Sequence, residues 1–205
     1  MTGLFITLEG GDGTGKSTQA ALLGDWFTER GREVVFTREP GGTDLGVEVR
    51  EIVLHSRGHI APRSEALLYA ADRAHHIATL VRPALDRGAV VIQDRYIDSS
   101  VAYQGAGRVL DPDEVRRVSE WATEGLYPDV TVLLDLDPVV GRERLHSDNK
   151  PFDRLETEAL EFHVRVREAY LGMAATEPER FLVVDATLDR DTIRDLIIGR
   201  VGTLA

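Results

Sequence analysis

A three-layer α/β/α fold around a five-stranded, mostly parallel sheet is the class this chain predicts, and three observations carry it. Short, β-branched, continuously apolar runs alternate with longer stretches of helical periodicity. A glycine-rich loop follows the first apolar run directly. The length of 205 residues, 42% of them apolar, suits one domain with a sizeable core.

The strands are expected at Leu4–Glu9, Val34–Thr37, Ala89–Gln93, Val130–Leu134 and Phe181–Val184, each covered on both faces. Between the first two, Ser17–Arg30 repeats Leu22, Leu23, Trp26 and Phe27 along one helical face. Val47–Leu54 reads as helical, and Ser64–Val81 places Leu67, Ala70, Ala71, Ala74, Ile77, Ala78 and Val81 on one stripe. Asp111-Pro112 and Asp137-Pro138 each pair an N-cap acid with a proline at the first helical position. In such a fold the carboxyl ends of the strands hold the ligands, so the chemistry is sought there. No linker or repeat divides the chain, and residues 1–205 are expected to form a single domain.

Composition narrows the classes. With no cysteine, disulfide frameworks, thiolate zinc sites and cysteine nucleophiles are excluded. A formal net charge of −11 argues against a nucleic-acid-coating partner. Neither a targeting leader nor a membrane-length run is visible, so no membrane partner is expected and the cytoplasm is the expected compartment. Of the 24 basic residues all but Lys16 and Lys150 are arginine. Codon usage is the plain explanation for that scarcity, and the places of the two lysines are the informative part.

Gly10-Gly11-Asp12-Gly13-Thr14-Gly15-Lys16-Ser17-Thr18 matches the phosphate-loop spacing, after a buried strand and at the opening of a helix. Glycines let successive N–H groups converge on phosphate oxygens. Lys16 supplies a compact charge for the β- and γ-phosphates, and the Ser17 hydroxyl is a ligand for Mg²⁺. A nucleoside triphosphate with Mg²⁺ is the expected ligand. Asp94 directly after the third strand sits where a metal-organising acid belongs, and Arg95 beside it can clamp a phosphoryl group.

Beyond the loop, the runs Arg38-Glu39-Pro40-Gly41-Gly42-Thr43, Leu68-Tyr69-Ala70-Ala71-Asp72-Arg73, Asp94–Gln104 and Phe152-Asp153-Arg154-Leu155-Glu156 span nearly the whole chain. Together they resemble the thymidylate kinases, phosphate-loop kinases that phosphorylate dTMP with ATP. The resemblance implies that Arg73 and Gln104 hydrogen-bond the thymine ring, that Tyr69 stacks on it, and that Ser100 contacts the base or its water. It implies Tyr103 near the sugar's 2′ carbon, Asp12 at the 3′-hydroxyl, and Arg50 and Arg95 on the monophosphate. Glu39 and Asp94 match acids that organise Mg²⁺, partly through water. A homodimer is implied as well.

Transfer to an acceptor in place of water calls for a mobile lid, expected at about residues 142–154. No arginine stands at residues 11–14, so the chain resembles family members whose lid supplies the cations. Arg154 is the expected contact to the transferring phosphoryl, and Arg142 and Arg144 are expected partners of ATP. Lys150 falls in the same segment, whose middle, His146–Asn149, departs from the pattern in carrying an acid and few arginines. The turn Asp185-Ala186-Thr187 lies where the family holds adenine. His55 with His59, and His75 with His76, lack a third ligand and are given no metal role.

Other readings are weaker. A GTPase would need an acid where Phe152 follows Asn149-Lys150-Pro151 and a glycine where Ile97 follows Asp94. A catalytically silent nucleotide-binding module leaves Lys16, Ser17, Asp94 and Arg154 surplus. Within enzymes the alternatives are other acceptors: thymidine, dUMP or a purine monophosphate.

Overall fold

A computed structural model describes residues 2–56, 58–108, 110–147 and 153–204. Five parallel strands, β1 (Leu4–Glu9), β2 (Val34–Arg38), β3 (Val90–Asp94), β4 (Val130–Asp135) and β5 (Phe181–Asp185), lie in the order β2-β3-β1-β4-β5. Each expected strand ends within one or two residues of the observed one. β1 is central, so the loop that follows it opens where the strand order turns back. That is where an open α/β sheet leaves a crevice.

Alternate residues of the strands feed two cores. Leu4, Ile6 and Leu8 face one, with Leu23 and Phe27 of α1 (Lys16–Thr28) and Ile193, Ile197 and Val201 of α9 (Arg190–Val201). Phe5, Val91 and Leu133 face the other. There they meet α2 (Asp44–His55), α3 (Pro62–His76), α5 (Ile97–Ser100) and α8 (Leu160–Thr176), while α6 (Pro112–Thr123) packs against α3. The edges differ from expectation. β2 and β5 are only partly covered, with Phe36 55% and Val183 45% exposed, and they are the two end strands of the sheet.

The helix starts follow the capping logic. Thr43 accepts from the Gly46 amide at 3.0 Å, Asp111 from Asp113 at 2.9 Å, and Asp137 from Val139 at 2.8 Å at the start of α7 (Pro138–Ser147). One expected helix is longer and less regular than its periodicity suggests. α3 passes through a π-helical turn, Ile77–Val81, into α4 (Arg82–Asp86). Pro83 has no N–H to donate and crowds the carbonyl one turn back, and the widened turn before it is the local adjustment. A second π-helical segment, Val101–Gly107, carries Tyr103 and Gln104 into the crevice.

Candidate active site

Sequence alone dictates the phosphate loop's shape. Gly10 has φ +128° and Gly13 φ +75°, regions that side chains rarely enter. A Cβ on Gly10 would come within 2.4 Å of the Leu134 carbonyl, and one on Gly13 within 2.5 Å of the Gly141 carbonyl. Lys16, first residue of α1, curls back so that Nζ donates to the carbonyls of Gly11 at 2.8 Å and Gly10 at 3.1 Å. Burial, followed by the charge of Arg95, lowers its pKa. An anion in the loop offsets both effects.

The turn after β3 is the second element. Arg95 adopts φ +68°, a conformation that costs a non-glycine residue about 1 kcal/mol or more. Three bonds hold it there: Arg95 N–H to Leu8 O at 3.0 Å, Gln93 Nε2 to Arg95 O at 2.9 Å, and Tyr96 N–H to Glu9 Oε1 at 2.7 Å. The strained turn aims the guanidinium at the cleft, 2.5 Å from Asp12 Oδ1 and 4.9 Å from the centre of the Tyr103 ring. Burial pushes the Asp12 carboxyl up, but Arg95 and Lys16 outweigh it and hold it below the ordinary aspartate range. Asp94 beside them keeps one carboxylate oxygen buried with no hydrogen-bond partner among the described residues.

Glu9 was invisible to motif reading and is central to this turn. Besides Tyr96 N–H, it accepts from Ser99 Oγ at 2.6 Å and Tyr170 OH at 2.8 Å, and Ser99 lies 3.4 Å from Arg95 Nη1. Burial first, then Asp98, raises its pKa from 4.5 to about 7, against the hydrogen bonds of Ser99 and Tyr170 and the charge of Arg95. The folded chain therefore keeps a proton that the unfolded chain releases near 4.5. Glu9's contribution to stability is full below that value and is lost as pH rises through 7. Asp72, raised to about 6 by burial and Glu39, acts in the same direction. In Glu9→Gln the fall in melting temperature from about pH 5 to about pH 8 should shrink. An unchanged fall assigns the pH dependence to other groups.

The far end of the cleft is built around Arg73, 1% exposed. Its Nε donates to Glu39 Oε2 at 2.7 Å, Nη1 to Ser119 at 3.0 Å, and Nη2 to Ser100 at 3.0 Å and the Tyr96 carbonyl at 3.2 Å. Glu39's other oxygen takes His76 Nδ1 at 2.9 Å, and Thr37 lies 2.6 Å from His76 Nε2. Arg73, Glu39 and Ser100, with Tyr69, Gln104 and Arg50, line one cleft of about 700 Å³ that runs from the phosphate loop to the π-helical segment.

A family model described as thymidylate kinase matches residues 8–197. The chain belongs to the thymidylate kinase family. Similar proteins include a thymidylate kinase of Clavibacter michiganensis subsp. michiganensis, 68% identical over 204 residues that cover 100% of this chain and 97% of that one. Another, of Leifsonia xyli subsp. xyli, is 73% identical over 185 residues, 90% of this chain and 88% of that one. The solved thymidylate kinase from Ehrlichia chaffeensis has a TM-score of 0.79 at 32% identity, over 97% of this chain and 98% of that chain.

Set beside a thymidylate kinase cleft, most of the expected residues gather in one place: Asp12–Thr18, Glu39, Arg50, Tyr69, Arg73, Asp94, Arg95, Ser100, Tyr103 and Gln104 all line it. Arg50 reaches across to the Pro40 carbonyl at 3.0 Å, and burial lowers its pKa, followed by repulsion from Arg38. Two of the expected residues have protein partners of their own. Glu39 has both oxygens hydrogen-bonded, one by Arg73 and one by His76, so in this structure it holds that arginine in place. Arg154 does not line the cleft: Nε donates to the Val53 carbonyl at 2.8 Å and Nη2 pairs with Glu65. Glu65, one turn before Tyr69 on α3, offers it a buried carboxylate. His76, given no role from sequence, is a fully buried partner of Glu39.

The segment expected as a lid is helical in its described first part. Residues 142–147 are the last turns of α7, because the helix begun at Pro138 runs on through them. Arg144 bonds the carbonyls of Gly13 at 3.3 Å and Ala186 at 3.1 Å, and Arg142 lies beside the phosphate loop over a smaller, mostly apolar pocket. Asp153 and Glu156 close a reciprocal turn, each accepting from the other's amide at 2.8 and 2.9 Å. Lys150, with the rest of residues 148–152, lies outside the described residues.

Proposed function

We propose that this kinase transfers the γ-phosphoryl group of ATP to the 5′-monophosphate of dTMP within the cleft described above. One observation carries the reading: a single cleft has a phosphate loop at one end, a buried arginine, an amide and a tyrosine at the other, and Arg50 and Arg95 between them. That layout puts donor and acceptor in line, with cations where charge develops. For phosphoryl transfer, positioning and charge neutralisation supply most of the rate. The residues take their roles from where they stand. Lys16 and the loop amides hold the β- and γ-phosphates. Arg95, already aimed by its strained turn, clamps the acceptor phosphate with Arg50. Asp12 is left to orient Arg95 and the 3′-hydroxyl. Tyr69 supplies a flat face for the base, and Arg73 with Gln104 reads its edge. Tyr103 crowds the sugar. A phosphate monoester is already ionised near neutral pH, so no side chain has to remove a proton.

Mg²⁺ fits the residues present. Asp94 keeps a buried oxygen without a partner among the described residues, and Ser17 lines the same cleft. Hard oxygen donors of this kind suit Mg²⁺ completed by phosphate oxygens and water. When bound, it neutralises charge on the transferring group. Arg142 and Arg144 belong to the ATP side, and the α7 segment with the residues after it, about 142–154, acts as the lid. Arg154, held by Glu65 and the Val53 carbonyl, anchors the end of that segment to α2 and α3.

The chain works as a single domain in the cytoplasm and pairs with a second copy of itself. No helix among the described residues is long and apolar enough to cross a membrane. The adjacent helices α2, α3 and α6 expose Val47 (49%), Ile52 (48%), Leu67 (58%) and Trp121 (83%), an apolar face of the kind that marks an interface. In sedimentation the protein is expected as a dimer and Val47→Asp/Leu67→Asp as a monomer. A wild-type species of 22.7 kDa overturns the pairing.

The reaction is tested by measuring ADP released from MgATP with dTMP, dUMP, UMP, AMP or GMP as acceptor. dTMP is expected to be the best acceptor. Preference for a purine monophosphate overturns the base assignment.

A further inference from the structure

At the base end of the cleft the Gln104 side chain makes a single hydrogen bond among the described residues: Nε2 donates to Glu65 Oε1 at 3.0 Å. Both residues are almost wholly enclosed, Glu65 at 1% and Gln104 at 2% exposure. A carboxylate can only accept, so the nitrogen of the amide must face Glu65 and its oxygen must face away. The other Glu65 oxygen, Oε2, pairs with Arg154 Nη2 and lies 3.6 Å from Arg108 Nη2. Two guanidinium groups therefore stand on that side of Glu65. Arg73 complements this arrangement, since every bond it makes there is a donation, to Glu39, Ser119, Ser100 and the Tyr96 carbonyl.

We infer that Glu65 is a specificity-determining positioning residue: by locking the Gln104 amide with its oxygen toward the cleft, it fits the pocket to a base that offers a ring N–H beside a carbonyl. Thymine and uracil present that edge. Cytosine presents a ring-nitrogen lone pair beside an amino group, so it meets an acceptor at Gln104 and a donor at Arg73 with the wrong partners. A buried mismatch of this kind leaves groups unpaired, which is where large discrimination arises. Guanine shares the N–H and carbonyl edge, so Glu65 selects by donor pattern and ring size is judged elsewhere. The inference rests on the dTMP reading and adds to it the origin of the choice among pyrimidines.

Glu65→Gln makes a sharp test, because the same two arginines dictate how the new amide sits. Its oxygen must face Arg108 and Arg154, which leaves its NH₂ toward Gln104. Gln104 must then turn over to accept from it, presenting N–H to the cleft. The ratio of kcat/KM for dTMP to that for dCMP is expected to fall at least about tenfold. In a Gln104→Leu background, where no amide is left to turn, adding Glu65→Gln should leave the ratio unchanged. Equal losses for both nucleotides, or the same change of ratio without Gln104, overturn the inference. Should Glu65→Gln melt below the assay temperature, Glu65→Asp keeps the charge and withdraws the oxygen. A lowered ratio in that variant supports the inference, and an unaltered one contradicts it. Failure of the wild-type enzyme to use dTMP at all would instead sink the reading on which this rests.

Discussion

Lys16→Ala is expected to lower kcat for phosphorylation of dTMP by about 10³-fold. The residue's Nζ sits inside the phosphate loop, within 2.8 and 3.1 Å of two backbone carbonyls, where burial and Arg95 already weaken its hold on a proton. A charge held under that strain is stabilised when anionic oxygens arrive. The gain grows as charge spreads over the transferring group, so the loss should fall mainly on kcat. The fold should survive, since the two bonds lost are each worth about 1 kcal/mol net. Steady-state kinetics with a thermal melt checks both halves. Near-normal turnover in a folded Lys16→Ala protein removes the phosphate loop from the mechanism.

Arg73→Ala should have the largest effect on stability of any single change in the cleft. The side chain is buried and makes four hydrogen bonds, one of them to the equally buried carboxylate of Glu39. Removing one partner of such a pair strands the other, at about 3–5 kcal/mol. For a chain of this size that lowers the melting temperature by roughly 10 °C. Arg73→Lys keeps a charge but loses the planar fork, so it should melt between the two and show a raised KM for dTMP. If Arg73→Ala melts with the wild type, Glu39 and His76 hold this corner without it.

The parts of the site that the sequence made legible are those written in consecutive residues. Gly10–Thr18 is a local shape with a local chemical purpose, and strand ends marked by glycine, acid or proline fall where expected. Legibility fails where a side chain has several partners within reach and packing chooses among them. Glu39 sits in a recognisable run, yet its occupation by Arg73 and His76 depends on α3 crossing behind it. Arg154 has a motif position, but the buried Glu65, 89 residues away in sequence, captures its guanidinium. Glu9 ends an apolar strand. A charge in that place was the one visible sign of a buried carboxylate, and its partners Ser99 and Tyr170 come from elements far along the chain. The net charge of −11 gave no hint that Lys16, Arg50, Arg73 and Arg95 line one cleft.

The central claim is that one cleft holds a nucleotide's phosphates at Lys16 and an acceptor's monophosphate at Arg50 and Arg95. ADP release from MgATP, followed with dTMP, with thymidine and with no acceptor, tests it most directly. Rapid ADP release with dTMP, matched by dTDP and absent in the other two, is the predicted result. ADP formed equally well with thymidine, or at the same rate without any acceptor, would contradict it.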